Sequence, residues 1–185
     1  MRRVATLSIL LLCASAAFAT DLPKSPAPRK SPEFTITEAP GKETLLSSYR
    51  GKVIVLGFIF TTCPHCQVFS AAVERIYKDL GPRGFQPIDV AWNQNANTLA
   101  PGFAKQLNLT FPVGYSEYDP VMSYMGFSVM DRPVVPLVVV IDRKGMIRAQ
   151  SPPQGDPNLQ DEGKLRALIE SLLKEGSAVT KRTSK

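Results

Sequence analysis

The sequence is poor in the residues that most often bind metal ions. It has one histidine and three cysteines among 185 residues, whereas a structural zinc site usually needs four ligands. Cys63, His65 and Cys66 are too few and too close together to form such a site. Cu(I) also binds thiolates, but no second histidine follows to complete a copper site. The methionines that could add sulfur ligands have the spacing of packed helical residues: Met122, Met125 and Met130. We therefore predict neither a metal site nor a cofactor.

The sequence also lacks an apolar run of about 20 residues, which a transmembrane helix needs. Near the N-terminus, Arg2 and Arg3 precede a shorter apolar run, Val4–Leu12, and Ala17-Phe18-Ala19 follows it. This order is typical of a secretory signal peptide. We predict a signal peptide over residues 1–19 and a periplasmic or otherwise extracytoplasmic location. The alternative is that the segment is retained as a membrane anchor.

Cysteines are too few for a protein stabilised by disulfides. Cleavage after Ala19 would remove Cys13 and leave one pair, Cys63 and Cys66. A disulfide framework usually has several cysteines spaced apart. A bond between Cys63 and Cys66 would close a tiny loop and remove little entropy from the unfolded chain. The pair is therefore better explained by redox chemistry than by a structural disulfide.

No basic helix or aromatic-basic face of the kind that binds nucleic acid is present, so we predict no nucleic-acid partner. The net charge is +6, and part of it lies in a basic tail over residues 176–185, as in many solvated chain ends. Residues 20–32 combine four prolines with serine, lysine and arginine, which predicts an extended linker. Between these segments we predict one domain, over residues 33–175.

Hydrophobic periodicity within this domain predicts alternating strands and helices. Two continuous apolar runs, Val53–Phe60 and Val134–Ile141, are typical of strands buried on both faces. Apolar residues recur at helical spacing from Cys66 to Leu80 and from Leu165 to Leu173. The other expected elements are strands at 34–37, 85–91, 111–115 and 146–149 and helices at 97–107 and 119–125, the last capped by Asp119. This order predicts an α/β or α+β domain with a mixed sheet.

The cysteine pair lies where the first buried strand is expected to give way to a helix. A Cys-x-x-Cys motif at such a junction lets the two sulfurs meet across one turn. Free N–H groups and the helix dipole favour an anion at the helix N-terminus, and the thiolate is the reactive form of cysteine. We therefore predict that Cys63 attacks and that Cys66, on the inner side of the turn, resolves mixed disulfides.

The residues between the cysteines have predicted supporting roles. Pro64 suits the first helical turn, where its missing N–H costs nothing. A partly positive His65 would stabilise the Cys63 thiolate and so make the disulfide a stronger oxidant. The open alternatives are that Pro64 merely starts the helix and that His65 is only an exposed polar residue.

Three segments together resemble the TlpA/ResA-type thiol–disulfide oxidoreductases of the thioredoxin superfamily, whose domain is of the redoxin/AhpC-TSA kind. They are residues 46–56, the motif Cys63-Pro64-His65-Cys66, and residues 136–145. The resemblance implies an α/β thioredoxin-like fold with a central mixed sheet flanked by helices. It also implies that Pro136 follows a cis peptide bond and that the backbone of Val135 meets a bound substrate strand.

What is known of this family sets further expectations. Its members are often exported and tethered to a membrane, and several serve cytochrome c maturation or disulfide handling. The resemblance therefore implies an enzyme whose partners are thiol- or disulfide-bearing proteins, with a redox partner that can be membrane-bound.

The chain departs from the family pattern at two positions. Thr62 stands where the family usually has tryptophan, just before the first cysteine. Thioredoxin and the related oxidant DsbA have a buried acid six residues before that cysteine, where this chain has Gly57. Without that carboxylate, proton transfer to and from Cys66 needs another route, such as water or His65.

Two other functions on related folds stay open. Thr61 and Thr62 suggest a peroxiredoxin-like peroxidase, although peroxiredoxins usually place threonine three residues before the cysteine. A Sco-like copper-delivery protein would bind Cu(I) through the cysteines, although wider cysteine spacing and a distal histidine are expected there. Consumption of hydrogen peroxide or a stable Cu(I) complex would identify these functions. A non-catalytic interaction domain is the remaining hypothesis.

Overall fold

A computed structural model of the protein describes residues 28–182, and these residues form an eight-stranded mixed sheet with helices on both faces. The strands are β1 (Arg29–Lys30), β2 (Thr35–Ala39), β3 (Lys42–Leu45), β4 (Val53–Ile59), β5 (Phe85–Ala91), β6 (Val113–Tyr115), β7 (Leu137–Ile141) and β8 (Met146–Gln150). The helices are α1 (Pro64–Leu80), α2 (Ala96–Gln106), α3 (Tyr118–Met125), α4 (Pro157–Gln160) and α5 (Glu162–Arg182). Short 3₁₀ turns cover Leu46–Tyr49 and Gly81–Arg83.

The strand order across the sheet is β1-β8-β7-β4-β5-β6-β2-β3. The central strands β4, β5 and β6 run parallel, and every other neighbouring pair is antiparallel. Helices α1 and α2 make the connections between the parallel strands, as such crossovers require. Each residue of β4 and β5 is buried, because both faces of the sheet are covered. The expected α/β thioredoxin-like fold is confirmed.

Two apolar cores lie on opposite faces of the sheet. Because side chains alternate along a strand, Val53, Val55 and Ile59 pack with α1 and α5, whereas Ile54, Leu56 and Phe58 pack with α3. The second core contains three edge-to-face ring contacts among Phe34, Phe58 and Tyr124, with centroids 5.2–5.6 Å apart. The alternation therefore fixes which β4 and β5 positions face the helix that begins at the cysteines.

Several expected boundaries were wrong. Strand β7 begins at Leu137 rather than Val134, and β6 begins at Val113 rather than 111. The N-cap of α3 is Glu117, which places Asp119 inside the first turn.

Val68, expected on the apolar face of α1, is 70% exposed, because the helix already covers the sheet with its other apolar residues.

The structure also contains elements that the sequence did not indicate. Strand β1 lies in the segment expected as a linker and pairs with the edge of β8, through Arg29 opposite Ile147. Strand β3 forms a hairpin with β2, and α4 interrupts the loop expected before the last helix. The backbone of α5 continues to Arg182, within the segment expected as a basic tail.

The expected signal peptide, residues 1–19, and most of the expected linker lie outside the described residues. Within residues 28–182, no helix combines the length and the apolar character that crossing a membrane requires.

Candidate active site

The cysteine motif lies between the end of β4 and the start of α1. Pro64 is the first residue of α1, where the helix needs no N–H from it. Cys63 is the N-cap in an extended conformation, and its carbonyl accepts a hydrogen bond from the Gln67 N–H at 3.1 Å. Cys63 therefore lies at the positive end of a helix of 17 residues.

The two cysteines are free thiols in unequal surroundings. Cys63 is half-buried, whereas Cys66 is fully buried. The Phe60 N–H donates to Cys66 Sγ at 3.4 Å. Burial is the largest influence on the Cys66 thiol and raises its pKa well above the ordinary value, while the Phe60 N–H opposes this and the neighbouring Cys63 and Asp89 add to it. Cys66 is thus held as a thiol beneath the accessible Cys63.

Asp89 is a buried acid on the strand beside β4. It is 1% exposed and lies directly opposite Gly57 in the parallel pairing of β5 with β4. Its Oδ2 accepts a hydrogen bond from the Ser70 hydroxyl at 2.6 Å, and Ser70 lies one helical turn after Cys66. Burial raises the pKa of Asp89 to about 7, against the lowering effect of the Ser70 bond. The site therefore contains a carboxyl group that can change charge near neutral pH.

Gly57 makes room for this carboxyl group. A Cβ added at Gly57 would lie 2.5 Å from Asp89 Oδ1 and 2.9 Å from Phe69 Cε1, both closer than van der Waals contact permits. The absence of a side chain at position 57 therefore leaves the space that the Asp89 carboxylate needs. An acid is present at this place in the core, but it comes from β5 rather than from β4.

Substituting Gly57 with alanine should destabilise the fold by about 1–3 kcal/mol, because the added methyl group overpacks the space between Asp89 and Phe69. The matched control is Gly102→Ala within α2, where nothing lies within 4 Å of the new Cβ. That change should stabilise the protein by about 0.5–1 kcal/mol. Guanidinium unfolding of the reduced full chain measures both values. Equal effects of the two substitutions would contradict the packing argument.

The loop between β4 and the motif is tied to the residues that follow β5. Asn93 Oδ1 accepts from the Thr61 N–H at 2.9 Å, and Asn93 Nδ2 donates to Thr61 Oγ1 at 3.1 Å. The Trp92 ring packs against Phe60 with centroids 4.9 Å apart. Beside these rings is a cleft of about 320 Å³, lined by Phe60, Trp92, Asn93, Gln94, Tyr118, Arg132 and Pro133.

The segment before β7 contains the two other predicted site residues. The Val135–Pro136 peptide bond is cis, as the resemblance implied. Val135 is half-buried and packs against both apolar cores, and Cys63 packs against the first of them. The Gln160 side chain donates to the Pro136 carbonyl at 3.2 Å, and the Val134 N–H donates to the Pro153 carbonyl at 2.8 Å. Two elements therefore hold this segment in place: helix α4, and the loop that follows β8.

Sequence reasoning missed the acid and the residues that hold the motif loop. Asp89 and Asn93 lie far from the cysteines in sequence, and Asp89 falls within the strand expected at 85–91. A usable signal existed, because an acidic residue inside a buried strand needs a partner or a function. His65 is exposed whereas Cys66 is buried, so the imidazole is in solvent and the Asp89 carboxyl shares the interior with Cys66.

Known proteins resemble this chain over most of the described domain. The family model of Redoxin matches residues 26–169. ResA of Geobacillus thermodenitrificans, named a thiol–disulfide oxidoreductase, is 26% identical over 118 residues, which is 64% of each chain. This chain therefore spans less than two thirds of that relative. A Xenopus laevis protein named probable glutathione peroxidase 8-B is 27% identical over 90 residues, 49% of this chain and 43% of that one.

Solved structures support the same assignment at the level of the fold. A thiol:disulfide interchange protein of the thioredoxin family from Chlorobium tepidum superposes with a TM-score of 0.65 at 20% identity, covering 80% of this chain and 99% of that chain. The Redoxin match and the ResA relative confirm the resemblance to TlpA/ResA-type proteins. Since the Redoxin model matches more than half of the sequence, the chain belongs to the Redoxin family, within the thioredoxin superfamily.

Proposed function

We propose that this protein is an exported thiol–disulfide oxidoreductase that exchanges electrons with the thiols or disulfides of other proteins through Cys63 and Cys66. The observation that carries the proposal is the unequal pair at the start of α1. Cys63 is half-exposed at the helix N-cap, whereas Cys66 is fully buried one turn inside. An accessible thiolate attacks, and a protected thiol one turn away resolves.

The exchange needs two steps in the reducing direction. The Cys63 thiolate attacks one sulfur of the partner's disulfide, so that a mixed disulfide forms and the other partner sulfur leaves as a thiolate. Cys66 then loses its proton and attacks Cys63 Sγ, which forms the Cys63–Cys66 disulfide and releases the second partner thiolate. Two electrons pass to the partner. The oxidising direction is the reverse of these steps.

The surface around Cys63 suits a protein substrate in an extended conformation. Val135 precedes the cis peptide bond, and the family resemblance gives its backbone the role of pairing with a bound strand. The cleft beside Trp92 and Tyr118 offers aromatic surface for a neighbouring substrate side chain. The predicted signal peptide and the ResA relatives favour an extracytoplasmic location and a membrane-bound redox partner, with cytochrome c maturation as one setting for the activity.

The reduction potential of the Cys63–Cys66 couple tests this function and its direction. Equilibration of the full chain with glutathione should give a value near about −120 to −180 mV, because a positive His65 would stabilise the reduced form. His65→Ala should lower the potential by on the order of 20 mV. A value near about −270 mV would make the protein an electron donor and contradict the oxidising bias. Failure to form a Cys63–Cys66 disulfide at all would contradict the oxidoreductase proposal.

A thiol peroxidase is the second candidate, favoured by the match to the protein named probable glutathione peroxidase 8-B. In that reaction the Cys63 thiolate would attack a peroxide oxygen, break the O–O bond and release hydroxide, which leaves Cys63 as a sulfenic acid. The Cys66 thiol would then attack the Cys63 sulfur, which forms the disulfide and releases water. Thiol-dependent consumption of hydrogen peroxide by the full chain at rates well above disulfide exchange would favour this candidate over the first.

A further inference from the structure

In the resolving step Cys66 needs a proton acceptor, which the cysteine motif alone does not provide. Cys66 must lose its proton inside an apolar core, where burial raises the pKa of the thiol. The position that supplies an acid in thioredoxin is Gly57 in this chain. The parallel register of β4 and β5 places Asp89 opposite that glycine, on the sheet face that packs against α1.

The surroundings of Asp89 leave Cys66 as its titratable neighbour. On α1, Ser70 bonds to the carboxylate and Cys66 interacts with it electrostatically. Glu74, the buried acid of α1, accepts two hydrogen bonds from Thr110 at 2.9 Å. The remaining charged groups of the packed elements are exposed: His65, Arg75, Lys78 and Asp79 on α1 and Lys105 on α2. On the flanking strands the directly opposing residues are Gly57 and Val113.

Asp89 differs from Glu74 in how firmly its oxygens are engaged. Both oxygens of Glu74 accept hydrogen bonds from Thr110, as expected for a carboxylate with a structural role. Within residues 28–175, the Asp89 carboxylate has one hydrogen bond, from Ser70 to Oδ2, and Oδ1 faces the space left by the absent Gly57 side chain. A buried carboxylate with spare acceptor capacity, bonded to a serine one helical turn from a buried thiol, is placed to receive the proton of that thiol.

We propose that Asp89 is the proton acceptor and donor for Cys66, and that it replaces, from the neighbouring strand, the acid that this chain lacks at Gly57. The proposal rests on the oxidoreductase function given above. In the reducing direction the Cys66 S–H bond breaks, its proton passes to the Asp89 carboxylate, and its electron pair forms the bond to Cys63 Sγ while the partner leaves as a thiolate. In the oxidising direction the departing Cys66 thiolate takes that proton back. Ser70 is a positioning residue that holds the carboxylate.

The test separates attack from resolution by stopped-flow reduction of a cystine-containing peptide with the reduced full chain, between pH 5 and pH 9. In the unmodified protein the resolution rate should rise with pH and level off above about 7, as Asp89 ionises. Asp89→Asn should slow resolution at pH 7 by about 100-fold, and the rate should keep rising through pH 9. The attack by Cys63 should stay within about twofold, because general-base loss affects only the resolving thiol.

Two further variants keep the test decisive. Glu74→Gln removes a buried carboxylate from the same helix face and should leave both phases unchanged. Ser70→Ala keeps the acid but removes the bond that lowers its pKa, so the midpoint of the resolution profile should move to higher pH. That prediction stands even if Asp89→Asn folds poorly.

Each outcome distinguishes this inference from the proposed function. An unmodified protein that forms no mixed disulfide would overturn the function itself. If the unmodified protein reacts but Asp89→Asn resolves at the same rate and with the same pH dependence, Asp89 is not the proton acceptor. An equal loss in both phases would mean that Asp89 only supports the fold, and would also overturn the proposal.

Discussion

Replacing Cys66 with serine is expected to halt the protein at the mixed disulfide, whereas replacing Cys63 with serine should remove its reaction with substrates altogether. The two cysteines differ by one helical turn in position and by full burial of the second. A serine hydroxyl is a far weaker nucleophile than a thiolate at neutral pH. Loss of the attacking sulfur should therefore reduce the exchange rate by roughly four orders of magnitude.

The expected products make this prediction visible on a gel. Cys66→Ser retains the half-exposed Cys63, so it should accumulate a covalent adduct with a disulfide-bearing protein substrate that thiol reductant dissolves. In the chain cleaved after Ala19, which lacks Cys13, Cys63→Ser leaves only the buried Cys66 and should yield no adduct. The double substitution Cys63→Ser and Cys66→Ser is the control for non-covalent association.

The reverse pattern would contradict the assigned roles. If Cys63→Ser gave the stable adduct and Cys66→Ser gave none, Cys66 would be the residue that meets the substrate, against its burial. Adducts from both single variants would mean that α1 opens enough to expose Cys66, and that the asymmetry of the resting structure does not govern the reaction.

Local patterns in the sequence were enough to predict where the reactive residues lie. The apolar run of β4, the Cys-x-x-Cys spacing and the helical periodicity of α1 are all contiguous, so the junction that presents Cys63 follows from neighbouring residues. The strand at Phe85–Ala91 matched its expected bounds for the same reason. Elements without a strong period, such as β3 and α4, gave no comparable signal.

Contacts between distant segments could not be obtained in this way. In the sequence of β4 alone, position 57 has no acid, and this suggested a proton route through water or His65. The register of β4 with β5 instead brings Asp89 to the same place. Register depends on the packing of whole faces rather than on any local motif. A glycine in one buried strand and an acid in its neighbour become meaningful only once they are known to lie opposite each other.

Substituting Asp89 with asparagine should also change how the stability of the reduced protein depends on pH. The pKa of Asp89 rises from 3.8 to about 7 on folding, so between those values the folded state binds more protons than the unfolded state. The free energy of unfolding therefore falls as pH rises, by about 4 kcal/mol from this group between pH 4 and pH 8. Asp89→Asn removes the group, so the free energy of unfolding of this variant should not show the fall. From pH 4 to pH 8, its stability relative to that of the unmodified protein should therefore increase by about that amount.

Urea unfolding of the reduced full chain at pH 4, 6 and 8 measures this difference. Ser70→Ala is the control, because it keeps the titrating carboxyl and should keep the steep loss of stability. Parallel curves for Asp89→Asn and the unmodified protein would show that Asp89 does not take up a proton near neutrality, and would remove support for its role in proton transfer. If instead the stability curve and the resolution rate turn at the same pH, one ionisation governs both. The fold then tolerates a destabilising charge above pH 7 because the same raised proton affinity lets Asp89 accept the proton of Cys66.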